Sequence, residues 1–283
     1  MKLLIPLFTL ILVSTAAAQP NTEVYLFDLQ RDDQNNYTIE NPLNISNNPG
    51  YDNQPTFWSE GNSILYARTV DGQTEIARYF IGSGKTVIVS KTLQGSEYSP
   101  TPTPDGRISS IRLDTTGLQL LYAYDLKGGS EVLVEDLVIG YHTWLDKTRL
   151  AAFVLGEPNT LQIIDTKNGS SKIVAASIGR SLHRIPDSRE MSYVDKSGEN
   201  WVIKALNPKN GKERGIVGTK EGAEDYCWTP GGELLLGQNT LLWAWNPVQG
   251  WRQVIDVSTY GLQGITRVAV SPDGDKLALV VNN

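Results

Sequence analysis

The chain has 283 residues, 40% apolar and 20% charged, with 26 Gly and 14 Pro; it is too apolar for a disordered chain and too polar for a multi-span membrane protein. Its net charge of −6 offers no electrostatic attraction to nucleic acid or to an anionic membrane, so both drop out as partners. A single cysteine, Cys227, excludes an internal disulfide, and two histidines leave little room for acid–base chemistry.

Met1-Lys2 makes a short positive start, residues 3–13 are almost wholly apolar, and Ala16-Ala17-Ala18 places small residues at a cleavage position. That pattern describes a secretory signal over residues 1–18, cut after Ala18. A membrane anchor needs roughly 20 apolar residues, and Ser14 and Thr15 end this run earlier. No cysteine stands at the cut to carry a lipid. The expectation is a periplasmic or secreted protein that is not inserted in the membrane after cleavage. Residues 19–283 then form a single domain.

Beyond the signal, residues 23–29 and 41–46 read as two strands with no partners ahead of them. A unit then recurs: an extended segment, a tight polar turn, and a β-branched or aliphatic run. The turns are Glu60-Gly61, Asp105-Gly106, Asp146-Lys147, Asp187-Ser188, Gly231-Gly232 and Asp273-Gly274, spaced about 41 to 45 residues apart. Asp-Gly favours a hairpin because glycine accepts the positive φ such a turn needs.

The first unit continues through strands at 63–68, 74–81 and 86–90, the second through 108–113, 118–126 and 131–137. The third has 150–155, 161–165 and 172–176, the fourth 191–194, 201–206 and 213–217. The fifth has 233–236, 241–245 and 251–257. All are short, rich in Val, Ile, Leu, Tyr and Trp, and bounded by Gly, Asn or Asp. The last unit supplies only 268–271 and 276–281. Two strands from each end of the chain therefore complete one four-stranded sheet, which removes the open edge. The fold class that follows is all-β: a six-bladed β-propeller closed by pairing N-terminal with C-terminal strands.

The repeat resembles the TolB-like propellers (the WD40-like, PD40 repeat), whose turns carry a Ser-Pro-Asp-Gly-like signature. It is fullest in Ser271-Pro272-Asp273-Gly274 and Thr103-Pro104-Asp105-Gly106, and weak in Trp144-Leu145-Asp146-Lys147. The resemblance implies a periplasmic setting and a protein or peptide partner entering the channel mouth. Family members with a full periplasmic role also carry an α/β domain ahead of the propeller, and an interaction that depends on that domain is not carried over.

Aligned on their turns, the units place Thr56, Thr101, His142, His183, Cys227 and Ala269 at one position of the innermost strands. Imidazole and thiolate are good zinc or copper ligands. Three candidates without a fourth, and without close His/Cys spacing, argue against a metal, and no cofactor is expected. Just upstream, loops carrying Asp52, Asn53, Glu97, Tyr98, Tyr141, Arg180, Asp225 and Arg267 should ring one mouth of the channel. With His142 and His183 these residues form the candidate binding set. Loops on a rigid scaffold are where recognition residues concentrate.

Enzyme motifs fail. Gly82-Ser83-Gly84-Lys85-Thr86 ends like a phosphate loop but leads into a strand, not the helix a phosphate cradle requires. No Gly-x-Ser-x-Gly elbow exists, and no catalytic residue is assigned. The sequence reading is an exported, non-catalytic scaffold that binds a cell-envelope protein or peptide. The alternatives are a carbohydrate-active lyase or hydrolase using channel histidines or carboxylates, and a sugar-binding protein without chemistry.

Overall fold

The computed structural model describes residues 20–282; the proposed signal, residues 1–18, lies outside the described residues. Alternating burial builds each strand. In Tyr37-Thr38-Ile39-Glu40, for example, the aromatic and aliphatic side chains are buried and the polar ones exposed, as a period of two on a half-buried sheet requires. Six four-stranded antiparallel sheets result.

Blade 1 comprises Asn53–Phe57, Ser63–Val70, Gln73–Phe80 and Lys85–Ile88. Blade 2 has Ser96–Pro102, Ile108–Leu113, Gln119–Tyr124 and Ser130–Val134. Blade 3 has Ile139–Trp144, Arg149–Val154, Thr160–Asp165 and Ser170–Ala176. Blade 4 has Ile178–Arg184, Met191–Asp195, Val202–Leu206 and Glu213–Gly218. Blade 5 has Tyr226–Trp228, Leu234–Gln238, Leu241–Asn246 and Gly250–Asp256.

Blade 6 is shared by the two ends of the chain. Gln263–Val270 and Lys276–Asn282 come from the C-terminal side, Thr22–Arg31 and Tyr37–Asn44 from the N-terminal side. Thr22–Arg31 lies antiparallel to Lys276–Asn282 in unbroken register from Thr22 opposite Asn282 to Asp28 opposite Lys276. The innermost strands touch one another in sequence around the full circle, blade 6 meeting blade 1. The seam is also packed. Phe27, Leu29, Leu277 and Leu279 join Leu235 and Leu242 of blade 5 and Val257 just after it, and Val24, Leu26, Ala278 and Val280 join Phe57, Ile64 and Tyr66 of blade 1. Each large apolar side chain buried this way contributes roughly 1.5–3 kcal/mol.

The structure corrects the sequence reading at one strand and refines another. The outermost strand of blade 6 is Tyr37–Asn44 rather than 41–46. A turn at Asp32 to Asn36, closed by Asp32 Oδ1 accepting from the Asn36 amide at 2.8 Å, starts it earlier. Pro42 is tolerated there because an outermost strand has one unpaired side. The innermost strand of blade 6 begins at Gln263, within a segment expected to be loop. The only helical element among the described residues is a short 3-10 turn, Val257–Tyr260. No helix among them is long and apolar enough to cross a membrane.

Candidate functional site

The six innermost strands enclose a cavity of about 480 Å³ along the ring axis. Strand alternation decides which of their side chains face it. The turn hydrogen bond Thr103 N to Arg107 O in blade 2 has its counterparts in Thr229 N to Glu233 O and Leu145 N to Arg149 O. On this alignment Thr56, Thr101, Thr143, His183, Cys227 and Ala269 share the waist of the channel, and all six line the cavity. The residues one step earlier, Pro55, Pro100, His142, Leu182, Tyr226 and Val268, are buried, and all but Pro100 still border the cavity.

His142 therefore does not share the position of His183 and Cys227, contrary to the sequence alignment. The third turn falls one residue later than Asp146-Lys147 implied, and a one-residue slip moves a side chain to the other face of a strand. His142 is 7% exposed and places Nε2 2.7 Å from Ser109 Oγ on blade 2, where the Trp144 indole N–H also donates at 2.9 Å. Ser192 of blade 4 repeats the arrangement, receiving the Tyr226 hydroxyl and the Trp228 indole at 2.8 Å each. These serines clasp adjacent blades.

Two residues above the waist lies the mouth: Gln54, Ser99, Tyr141, Ser181, Asp225 and Arg267, with Arg180 beside Ser181. The stretches expected to be loops here are, in blades 1 to 4, the first residues of the innermost strands, kinked by irregular register at Asn53/Thr56, Tyr98/Thr101, Ile139/Tyr141 and Ile178/Leu182. A bulge adds a residue and re-aims the side chains beside it. Gln54 and Ser99 sit in left-handed backbone, φ 58° and 53°, a conformation non-glycine residues seldom adopt. Gln54 Oε1 accepts from the Ser99 amide at 2.7 Å, tying the bulges of blades 1 and 2 together.

The mouth's charge is concentrated on one side. Arg180 grips Asp225 with two donors, Nε to Oδ1 at 3.0 Å and Nη2 to Oδ2, and Arg267 Nη1 reaches Asp225 Oδ1 at 2.9 Å. The Arg180 amide donates to Glu224 Oε2 at 3.0 Å, and Lys196 Nζ lies 3.4 Å from Glu224 Oε1. Three cations thus meet two carboxylates, leaving one positive charge in excess on an acidic chain. The Arg267 guanidinium stands 5.9 Å from the centre of the Tyr141 ring. Nearby, burial pushes the Tyr51 hydroxyl up to about 12 against the pull of Arg267.

Of the ten residues expected at the site, Tyr141, His142, Arg180, His183, Asp225 and Arg267 line the cavity. The structure places the other four beside it. Asp52 is wholly buried, accepting from the Thr69 amide at 3.2 Å, and burial raises its carboxyl to about 6. Asn53 donates to Thr22 Oγ1 at 3.2 Å. Glu97, also wholly buried, accepts from Thr92 Oγ1 at 2.6 Å, Tyr124 OH at 2.8 Å and Arg112 Nε at 3.2 Å. Tyr98 packs edge-on against Tyr51 at 6.1 Å. Gln54, Ser99 and Ser181, which the sequence places in the same mouth segments but outside the binding set, also line the cavity, as does Thr143, which only a correctly placed third turn reveals.

The chemistry available at the waist is muted. Burial holds both histidines down to about 4, and so neutral at pH 7. It pushes the Cys227 thiol up to about 12, well away from a reactive thiolate. The His183 ring packs 4.9 Å from the Tyr226 ring. Among the described residues no group of three or more His, Cys, Asp or Glu side chains is arranged to hold a metal ion.

No protein-family model and no curated protein sequence matches the chain. Solved structures do. TolB from Agrobacterium tumefaciens aligns with a TM-score of 0.71 at 14% identity, over 94% of this chain and 99% of that one. A gluconolactonase from Xanthomonas campestris aligns at 0.65 and 9% identity, over 96% and 99%. An oligogalacturonate lyase in complex with manganese aligns at 0.61 and 13% identity, over 94% and 98%. At these identities the likeness is one of fold, and the fold hosts both TolB and enzymes. The chain has the TolB-like six-bladed β-propeller fold.

Proposed function

We propose that this is an exported, non-catalytic propeller that binds a protein or peptide partner in the cell envelope through the mouth of its channel. The observation that carries the reading is the Arg180–Asp225–Arg267 cluster beside Tyr141 in the lining of the cavity. Two part-exposed guanidiniums sharing one carboxylate have donors to spare for a ligand. They stand on rigid strands, so recognition needs little backbone rearrangement. A nucleophile with an activating base, by contrast, has little support at the waist: burial holds the thiol protonated and lowers His183 to about 4, which makes it a weak base. Asp52 and Glu97, the carboxylates an acid–nucleophile pair on a glycoside would need, are locked in separate buried networks.

The test is selection of a random twelve-residue peptide library on the immobilised protein, read against an Arg180→Gln, Arg267→Gln double variant. Enriched peptides should lose binding to the variant. Failure to enrich any peptide, with binding on an oligosaccharide array, would overturn the reading. Carbohydrate recognition is the second reading, because guanidiniums beside Tyr141 also suit an acidic sugar. Sequencing the N-terminus of the exported protein checks the compartment; it should begin at Gln19.

A further inference from the structure

The mouth continues onto an apolar shelf. Leu118, Val138 and Leu155 are 50%, 46% and 48% exposed, although they surround a tightly built corner of blades 2 and 3. The Leu155 amide donates to Val138 O at 2.9 Å, and Gln119 Nε2 donates to Ile139 O at 2.7 Å. These side chains are thus presented by a fixed backbone, not by a loose loop. Gly140 keeps the surface open, since a methyl group there would stand 3.3 Å from the Phe153 ring and 3.4 Å from Leu155.

Aromatic contacts join shelf to mouth. Phe153 meets the Tyr141 ring edge-on at 5.8 Å, and Tyr141 in turn faces the Arg267 guanidinium at 5.9 Å. The steps from guanidinium to Tyr141 and from Tyr141 to Phe153 are 5.9 and 5.8 Å, and at about 3.3 Å per residue an extended peptide of four or five residues covers both and reaches the shelf beyond.

Resting on the partner-binding reading above, we propose that the occupant is an extended segment of a partner protein carrying a carboxylate about four residues from a pair of aliphatic side chains. The carboxylate meets the excess positive charge of Arg180 and Arg267. The aliphatic pair covers Leu118, Val138 and Leu155, and the backbone between crosses the Tyr141 and Phe153 rings. Charge complementarity selects an acidic segment over a basic one, and the shelf selects an aliphatic over a polar one.

Three fluorescein-labelled octapeptides test this by anisotropy: one with an aspartate four positions before a Leu-Val pair, one with lysine replacing the aspartate, and one with two serines replacing Leu-Val. The first should bind at least tenfold more tightly than either of the others. Leu155→Ser, an exposed change that leaves the fold intact, should erase the preference for Leu-Val and keep the preference for aspartate. Arg267→Gln should do the reverse. Equal binding of all three peptides, or insensitivity to both variants, would overturn the proposal. If library peptides bind the mouth without an acidic and aliphatic pattern, this inference falls while the partner-binding reading stands. If no peptide binds, both fall.

Discussion

The interfaces on either side of blade 1 and the interface between blades 4 and 5 join wedges of the same shape with different chemistry. Between blades 6 and 1, Ser46 Oγ accepts from the Val24 amide at 2.8 Å and donates to Glu23, while Arg68 donates to Ser46 O at 2.8 Å near the buried Asp52. Between blades 1 and 2 the pattern repeats. Ser90 Oγ accepts from the Ile76 amide at 2.7 Å and donates to Glu75, while Arg112 holds the buried Glu97. Between blades 4 and 5, Trp201, Trp228, Trp243, Trp245 and Trp251 pack around Ile203, Leu234 and Leu236, with Ser192 as a polar clasp. A buried polar network depends on every member being satisfied. An apolar interface loses stability in proportion to the area removed. The difference should therefore appear in how sharply each region responds to a single change.

The largest response is expected at Glu97. Glu97→Ala leaves the Arg112 guanidinium, 4.1 Å from the Tyr122 ring centre and only 17% exposed, without its carboxylate. Removing one partner of a buried pair costs about 3–5 kcal/mol. Trp228→Phe, on the apolar side, gives up one indole hydrogen bond and part of its contact area, about 1–2 kcal/mol. Urea midpoints at pH 7 compare the two directly. Equal losses would mean that the acidic interfaces are no more cooperative than the tryptophan-lined one.

A smaller and pH-dependent response is expected at Asp52. Burial raises its carboxyl from 3.8 to about 6, only partly offset by Arg68. A carboxyl raised in the folded state contributes stability that is fully present below its unfolded pKa and lost as pH rises through the folded one. Between pH 4 and pH 7 the wild type should thus lose up to about 3 kcal/mol that Asp52→Asn does not. The variant should be the more stable protein at pH 8, with the advantage shrinking toward pH 4. The histidines pull the other way. Lowered to about 4 by burial, they support the fold above 6.5 and cease to as pH falls through 4; the contribution is common to both proteins and cancels in their difference. A constant gap at every pH would show that Asp52 is not protonated on burial.

The propeller was legible because its turns are chemically marked. Asp105-Gly106 and Asp273-Gly274 set the period, and the unpaired strands at the two ends imposed closure. Where the mark fades, so did the reading. Asp146-Lys147 lacks the glycine, so alignment on it sets the third unit one residue early and gives His142, the partner of Ser109, the waist position that Thr143 holds. Arg180, Asp225 and Arg267 each read as mouth residues because about one repeat interval separates one from the next, but the spacing does not announce that they pair with one another. Asp52 and Glu97 read as exposed acids for a different reason. The groups that meet them, Thr69 and Arg112, arrive from the second strands of their blades, and no local pattern announces that a carboxylate will be met inside.

The smallest expected effect separates the two halves of the waist without touching stability. Cys227 and Thr101 hold equivalent channel positions, but Cys227 is 5% exposed on the tryptophan side and Thr101 is half-buried on the acidic side. Burial pushes the Cys227 thiol up to about 12, so at pH 8 only about one molecule in ten thousand carries the thiolate that reacts. Its labelling by a disulfide reagent should be slower than that of a free thiol by a hundredfold or more, and should become fast on unfolding. A cysteine at the equivalent place in blade 2, made as Thr101→Cys in a Cys227→Ser background, should label far faster from the open cavity. Matching rates would mean that the channel opens alike on both sides, and that the tight packing around blade 5 does not extend to the axis.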